Sequence, residues 1–128
     1  MNNYLLDTHT AIWLFTGDAL LSPAAEKIIL DESNRIFISV ASAWELTIKI
    51  SIGKLRFPGD AVGFMEAALD NDISILPIEI SYLTALKDLP FIHRDPFDRL
   101  LVSTAIVEGM TLITTDGNIS QYKVQHIW

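Results

Sequence analysis

The chain has 128 residues, half of them apolar, a formal net charge of −7 and no cysteine. That length fits one compact domain with a sizeable core and leaves no room for two ordinary ones, while the apolar excess points to surface covered by a partner. The acidic balance argues against gripping nucleic acid by bulk positive charge, yet permits a nuclease whose acids are neutralised by bound metal.

In chain order, Asn3 to Leu6 reads as a short apolar strand ending at Asp7, and Thr8 to Thr16 as a helix that stops near Gly17. Ser22-Pro23 pairs a cap with a proline at the first helical position, opening a helix to about Leu30. Arg35 to Val40 is β-branched and apolar, a buried strand; Ser42 to Ile52 has helical spacing and stops at Gly53. Phe57-Pro58-Gly59 is a turn, after which Asp60 is expected to cap a helix through Leu69. Ile73 to Ile78 is a strand interrupted by Pro77, and Ser81 is expected to cap a short helix to Leu86. Asp95 to Val107 is a helix, Met110 to Thr114 a strand, and Val124 to Ile127 an edge strand.

This alternation, without repeats or linkers, predicts a single domain over residues 1–128. Its expected architecture is a three-layer α/β/α sandwich around a mainly parallel sheet. No apolar run is long enough to span a bilayer, and the N-terminus lacks the basic start and apolar centre of a signal peptide. Together with the absence of cysteine, this makes a cytoplasmic location the expectation, with no membrane partner.

In parallel α/β folds reactive groups gather at the carboxyl ends of the strands. Asp7 directly follows the first strand and Asp116 follows TLITT; Asp98 opens the helix before that strand, and Glu45 lies early in the helix after RIFISV. Four carboxylates from four segments would converge on one edge, where they repel unless something neutralises them. Two hard divalent ions, magnesium or manganese, suit such oxygens and can drive phosphodiester hydrolysis.

Each acid also has a structural reading. Asp7 suits a helix cap, Ser42 and Glu45 have the spacing of a capping box, and Asp116-Gly117 is a common turn pair. Asp95 before Pro96 reads as a cap, and Asp98 suits the positive end of the helix dipole.

Four segments together resemble the PIN-domain ribonucleases, particularly the toxin components of bacterial type II toxin–antitoxin pairs: YLLDTHTAIWL, ISVASAWELTIKISIGKL, LPFIHRDPFDRLLVSTA and LITTD, in that order. HRDPFDRLL is the most specific of them. The resemblance implies Asp7 and Asp98 as principal metal ligands, with Glu45 and Asp116 ligating directly or through water. It implies Mg2+ or Mn2+, two ions per site, RNA as substrate, a homodimer, and a cognate antitoxin that blocks the acidic site. Thr8, Thr114 and Thr115 neighbour the acids and are expected to hydrogen-bond the ligating oxygens.

Arg94 and Arg99 are expected either to contact RNA phosphates or to form surface ion pairs. Lys49, Lys54 and Arg56 would add a basic rim or complement a helix C-terminus. His93 reads as a loop histidine with structural hydrogen bonds, or as a group touching RNA or moving a proton; His9 would orient the start of the first helix. Trp13, Trp44, Phe15 and Phe64 read as core or interface.

Two other acidic-pocket classes fit less well. An aspartate-nucleophile phosphatase would need an acid where His9 stands, and a receiver domain would need a lysine that TTDGN does not supply. A catalytically silent PIN module that binds RNA or a protein is the remaining alternative.

Overall fold

The structure, a computed structural model, describes residues 2–128. Five strands, β1 (Asn3–Leu6), β2 (Arg35–Ser39), β3 (Ser74–Leu76), β4 (Thr111–Ile113) and β5 (His126–Ile127), form one parallel sheet in the order β3-β2-β1-β4-β5. Six helices connect them: α1 (Thr8–Thr16), α2 (Pro23–Leu30), α3 (Val40–Ser51), α4 (Asp60–Asp70), α5 (Ile80–Lys87) and α6 (Pro96–Glu108). The expected α/β/α class is therefore observed. A single 3₁₀ turn, Ile119–Gln121, was not foreseen.

Alternation along the strands divides the core. Leu6, Ile36, Ile38 and Ile113 face α1 to α4, while Leu5 and Leu112 face Leu101, Val102 and Ala105 of α6. Phe64 is fully buried and meets Phe15 and Phe57 edge-on, as expected of core aromatics. Trp44 differs: it is 58% exposed and touches Phe97 edge-on. Among the described residues, no helix is long and apolar enough to cross a membrane.

Three helix starts differ from the sequence reading. The cap of α3 is Ser39, whose hydroxyl accepts the Ala41 N–H at 3.0 Å while its backbone is still extended from β2. Ser42 therefore lies inside the helix. Gly59, with φ of +75°, occupies the cap position of α4, and Asp60, itself left-handed with φ of +52°, opens the helix without capping it. Glu79, not Ser81, precedes α5. Strands β3 and β5 are shorter than the apolar runs suggested; β3 stops at Leu76 because Pro77 has no N–H to continue the ladder.

Arg99 corrects a larger expectation. It is 5% exposed and does not face the solvent where RNA would lie. One guanidinium nitrogen donates to the Pro90 carbonyl at 2.9 Å and to Tyr122 Oη at 3.2 Å. The other donates to the Leu86 carbonyl at 3.2 Å and the Leu89 carbonyl at 3.4 Å, and the Phe91 ring covers the group at 4.4 Å. The cation thus satisfies the carbonyls at and beyond the C-terminal end of α5. Arg99→Met is expected to lower stability by about 2–3 kcal/mol, because those buried acceptors lose their donor. Urea unfolding would measure it; a loss below about 0.5 kcal/mol, within the range of ordinary surface changes, would contradict this role.

Candidate metal centre

The strand order decides where the acids meet. β1 lies between β2 and β4, with Leu6 paired to Ile113, so Asp7 and Thr114 leave the sheet side by side. The Asp7 N–H donates to the Ile113 carbonyl at 3.2 Å. Asp7 Oδ1 accepts the Thr10 N–H at 3.1 Å and caps α1, while Oδ2 accepts the Thr114 hydroxyl at 2.6 Å. Capping and membership of the site are therefore both true of Asp7, because a carboxylate has lone pairs enough for both.

Glu45 reaches the same cleft from the sixth position of α3, so no capping box explains it. It is buried; Oε2 pairs with Lys49 Nζ at 2.9 Å, and Oε1 has no hydrogen-bond partner among the described residues. Ser42 accepts the Thr8 hydroxyl at 2.9 Å, tying α3 to α1. Thr8 therefore bonds neither Asp7 nor Glu45, contrary to expectation, because its side chain turns into the helix–helix contact.

Asp95 caps α6 as expected, its Oδ1 accepting the N–H groups of Phe97 at 2.8 Å and Asp98 at 3.3 Å. With Pro96 setting the first helical φ, Asp98 is aimed from the first turn into the cleft. Asp116 forms the expected turn, Oδ1 accepting the Asn118 N–H at 2.8 Å, and its own N–H donates to Thr114 Oγ1 at 3.0 Å. Thr114 thus supports two acids at once, whereas Thr115 is exposed at the lip.

Asp7, Glu45, Asp98 and Asp116 all line one cleft of about 190 Å³, joined by the capping Asp95, with His9 and Trp13 on its wall. Such a volume holds ions and several waters but no nucleotide, so a polymer substrate would lie across the mouth. His9 is exposed beside Trp13, their rings 6.0 Å apart. Arg94 is exposed and forms no ion pair among the described residues. Lys49 joins the site through Glu45, while Lys54 and Arg56 form no ion pair among the described residues.

His93 makes the structural hydrogen bonds that one reading of the sequence expected, and it also reaches two of the acids. Its Nε2 lies 2.9 Å from Asp116 Oδ2 and 3.0 Å from Asp98 Oδ2, and the three groups form a compact donor set. Nothing in its spacing marks it, because the second contact comes from a segment 23 residues away.

Crowding leaves its mark on the protonation equilibria. Burial, reinforced by the charges of Asp95, Asp7 and Glu45, pushes Asp98 up to about 7, although His93 pulls the other way. Burial also opposes ionisation of Asp116, but hydrogen bonds from His93 and the Asn118 amide hold it below the usual carboxylate range. Burial resists charging of His93; the hydrogen bond to Asp116 and the charges of Asp98, Asp116 and Asp95 outweigh it and raise its pKa.

The donor set suits hard divalent ions: carboxylate oxygens predominate, and Glu45 Oε1 is a buried oxygen in want of a partner. A wider groove of about 470 Å³ elsewhere carries Asp31, Glu32, Asp70 and Asp72, but all four are exposed and solvated.

The fold and sequence have relatives. Ribonuclease VapC22 of Mycobacterium tuberculosis is 25% identical over 125 residues, spanning 96% of this chain and 94% of that protein. The crystal structure of VapBC2 from Rickettsia felis bound to a promoter DNA fragment superposes with a TM-score of 0.73 at 18% identity, covering 98% and 97% of the two chains. DNA-bound VapBC from Salmonella typhimurium gives 0.72 at 17% identity, over 99% and 98%. At those identities the structures speak to fold alone, and the sequence family is decided by a match to the PIN domain over residues 4–125. The chain belongs to the PIN-domain family.

Proposed function

We propose that this PIN domain is a metal-dependent endoribonuclease, the toxin of a toxin–antitoxin pair. The observation that carries the reading is the convergence of Asp7, Glu45, Asp98 and Asp116, with the capping Asp95 beside them, on one small cleft, Glu45 keeping an unpartnered buried oxygen. Membership of the PIN family, the ribonuclease name of the Mycobacterium relative and the toxin-like sequence motifs support it.

Asp7 and Asp98 would hold two Mg2+ or Mn2+ ions, with Glu45 and Asp116 ligating directly or through water. Divalent ions in such a setting generate a nucleophile from water at neutral pH and offset charge on phosphate oxygens. The chain's own task is to present oxygens in fixed positions. Thr114 orients Asp7, the Asp95 cap aims Asp98, and Lys49 restrains one oxygen of Glu45 while leaving the other free. Arg94 stands exposed one residue before Asp95, placed to meet the backbone of single-stranded or structured RNA. Catalysis of this kind needs no nucleophilic side chain.

The partner is a cognate antitoxin; the solved relatives named VapBC are complexes, which supports it. A homodimer accounts for the exposed apolar side chains Trp44 and Ile48 of α3 and Ile80 and Leu83 of α5. The chain works as a single domain in the cytoplasm.

Three outcomes test this reading. Asp7→Asn or Asp98→Asn is expected to abolish Mn2+-supported cleavage of single-stranded RNA while the fold survives. EDTA should do the same to the wild type, and undiminished cleavage by both variants would sink the assignment. Light scattering at micromolar concentration should give twice the monomer mass; a monomer would remove the dimer.

The third outcome is set by Asp98, whose carboxyl moves from its ordinary 3.8 to about 7 in the folded state. Between those values the folded chain keeps a proton that the unfolded chain has released. The associated stability is therefore present below about pH 4 and lost as pH rises through about 7. In EDTA at about pH 8, Asp98→Asn should melt roughly 5–10 °C above the wild type, with the gap closing towards about pH 5. Calorimetric scans across that range would check it; an equal gap at both ends would contradict the electrostatic origin.

A further inference from the structure

We infer that His93 is a positioning residue of this metal centre, donating Nε2–H to both Asp98 and Asp116 and ligating no ion. The inference rests on the metal-dependent reading above, and it deepens that reading by assigning a role to a residue outside the four acids.

By distance alone His93 looks like a ligand, since its Nε2 and one oxygen each of Asp98 and Asp116 cluster tightly. The opposite ring nitrogen decides against that. A ligating histidine offers a lone pair from one nitrogen and donates a proton from the other to an acceptor. Here Nδ1 faces a donor, the main-chain N–H of Asp95, at 3.1 Å. Nδ1 must therefore keep its lone pair, and a neutral imidazole with that lone pair carries its proton on Nε2. Charging the ring would add a proton to Nδ1 and leave Nε2–H where it is. In neither form does Nε2 offer electrons to an ion.

What Nε2–H does offer is a shared donor for two carboxylate oxygens, at 2.9 Å and 3.0 Å. Those carboxylates come from different segments, the start of α6 and the loop after β4, and would otherwise repel. The main chain that carries the ring is held as well. The His93 backbone N–H donates to Tyr122 Oη at 2.9 Å, and the same oxygen accepts from buried Arg99 at 3.2 Å. Asp95 consequently acts twice: its side chain caps α6 and aims Asp98, and its N–H sets the tautomer that gathers Asp98 and Asp116.

The test begins with the full-length wild type labelled with 15N at histidine. Long-range 1H–15N correlation spectra, recorded before and after adding Mg2+, should show a protonated Nε2 throughout. A lone pair on Nε2 in either state would overturn the inference. Calorimetric titration with Mn2+ should then show His93→Leu binding about ten- to a hundred-fold more weakly. His93→Gln, whose amide NH2 replaces the Nε2 donor, should bind close to the wild type, and thermal melts confirm that both variants fold. If the Leu protein does not fold, the spectra and the Gln variant still decide. Wild-type affinity in a folded Leu variant, or a fall in the Gln variant to a tenth or less of wild-type affinity, would remove the positioning role. Absence of Mn2+ binding by the wild type would instead overturn the metal-dependent reading itself.

Discussion

Carboxylates brought together in a small, partly dry volume repel one another, and that repulsion organises this molecule's functional face. Five acids line the cleft: Asp7 after β1, Glu45 of α3, Asp95 and Asp98 at the start of α6, and Asp116 in the turn after β4. Around them the chain places groups that reduce the cost: Lys49 on Glu45, the Thr114 hydroxyl on Asp7, and the His93 ring between Asp98 and Asp116. These do not remove it, since Asp98 still titrates near 7 and Glu45 keeps one oxygen unpartnered. A site left short of positive charge in this way suits divalent ions.

The sheet topology makes the convergence possible. The connection after β1 runs to β2 and the one after β4 runs to β5, in opposite directions, so the crevice between β1 and β4 opens at their carboxyl ends. Residues 7 and 114 become neighbours through one register of parallel pairing. The supporting interactions are equally non-local. Tyr122 links Arg99 to the His93 loop, so the packing that closes the end of α5 also steadies the ring over the acids.

Several features were legible from local chemistry. The Asp95 cap and Pro96 start of α6, the Ser22 cap of α2 and the left-handed glycine at 17 follow from rules acting within a few residues. The misreadings share a different cause. Ser42 has the spacing of a capping box with Glu45, yet Ser39 takes the cap because the helix starts directly where β2 ends. Arg99 reads as a surface cation, but the helix that carries it is buried on nearly every side, and the α5 carbonyls meet it there. Thr8 neighbours an acid in sequence and serves a helix contact in space.

The sequence by itself determined the alternation of strands and helices, the acids that follow or precede the right elements, and hence the family and class of chemistry. Those are properties of short segments, governed by side-chain periodicity, capping and turn preference. Only the tertiary structure decided which oxygens remain free, which threonine supports the acids, and which way the His93 ring presents its proton. Each of these depends on a hydrogen bond between segments far apart in the chain, such as Thr114 to Asp7 or His93 to Asp116. No periodicity encodes such a bond; it exists once strand register and helix packing bring the two groups within reach.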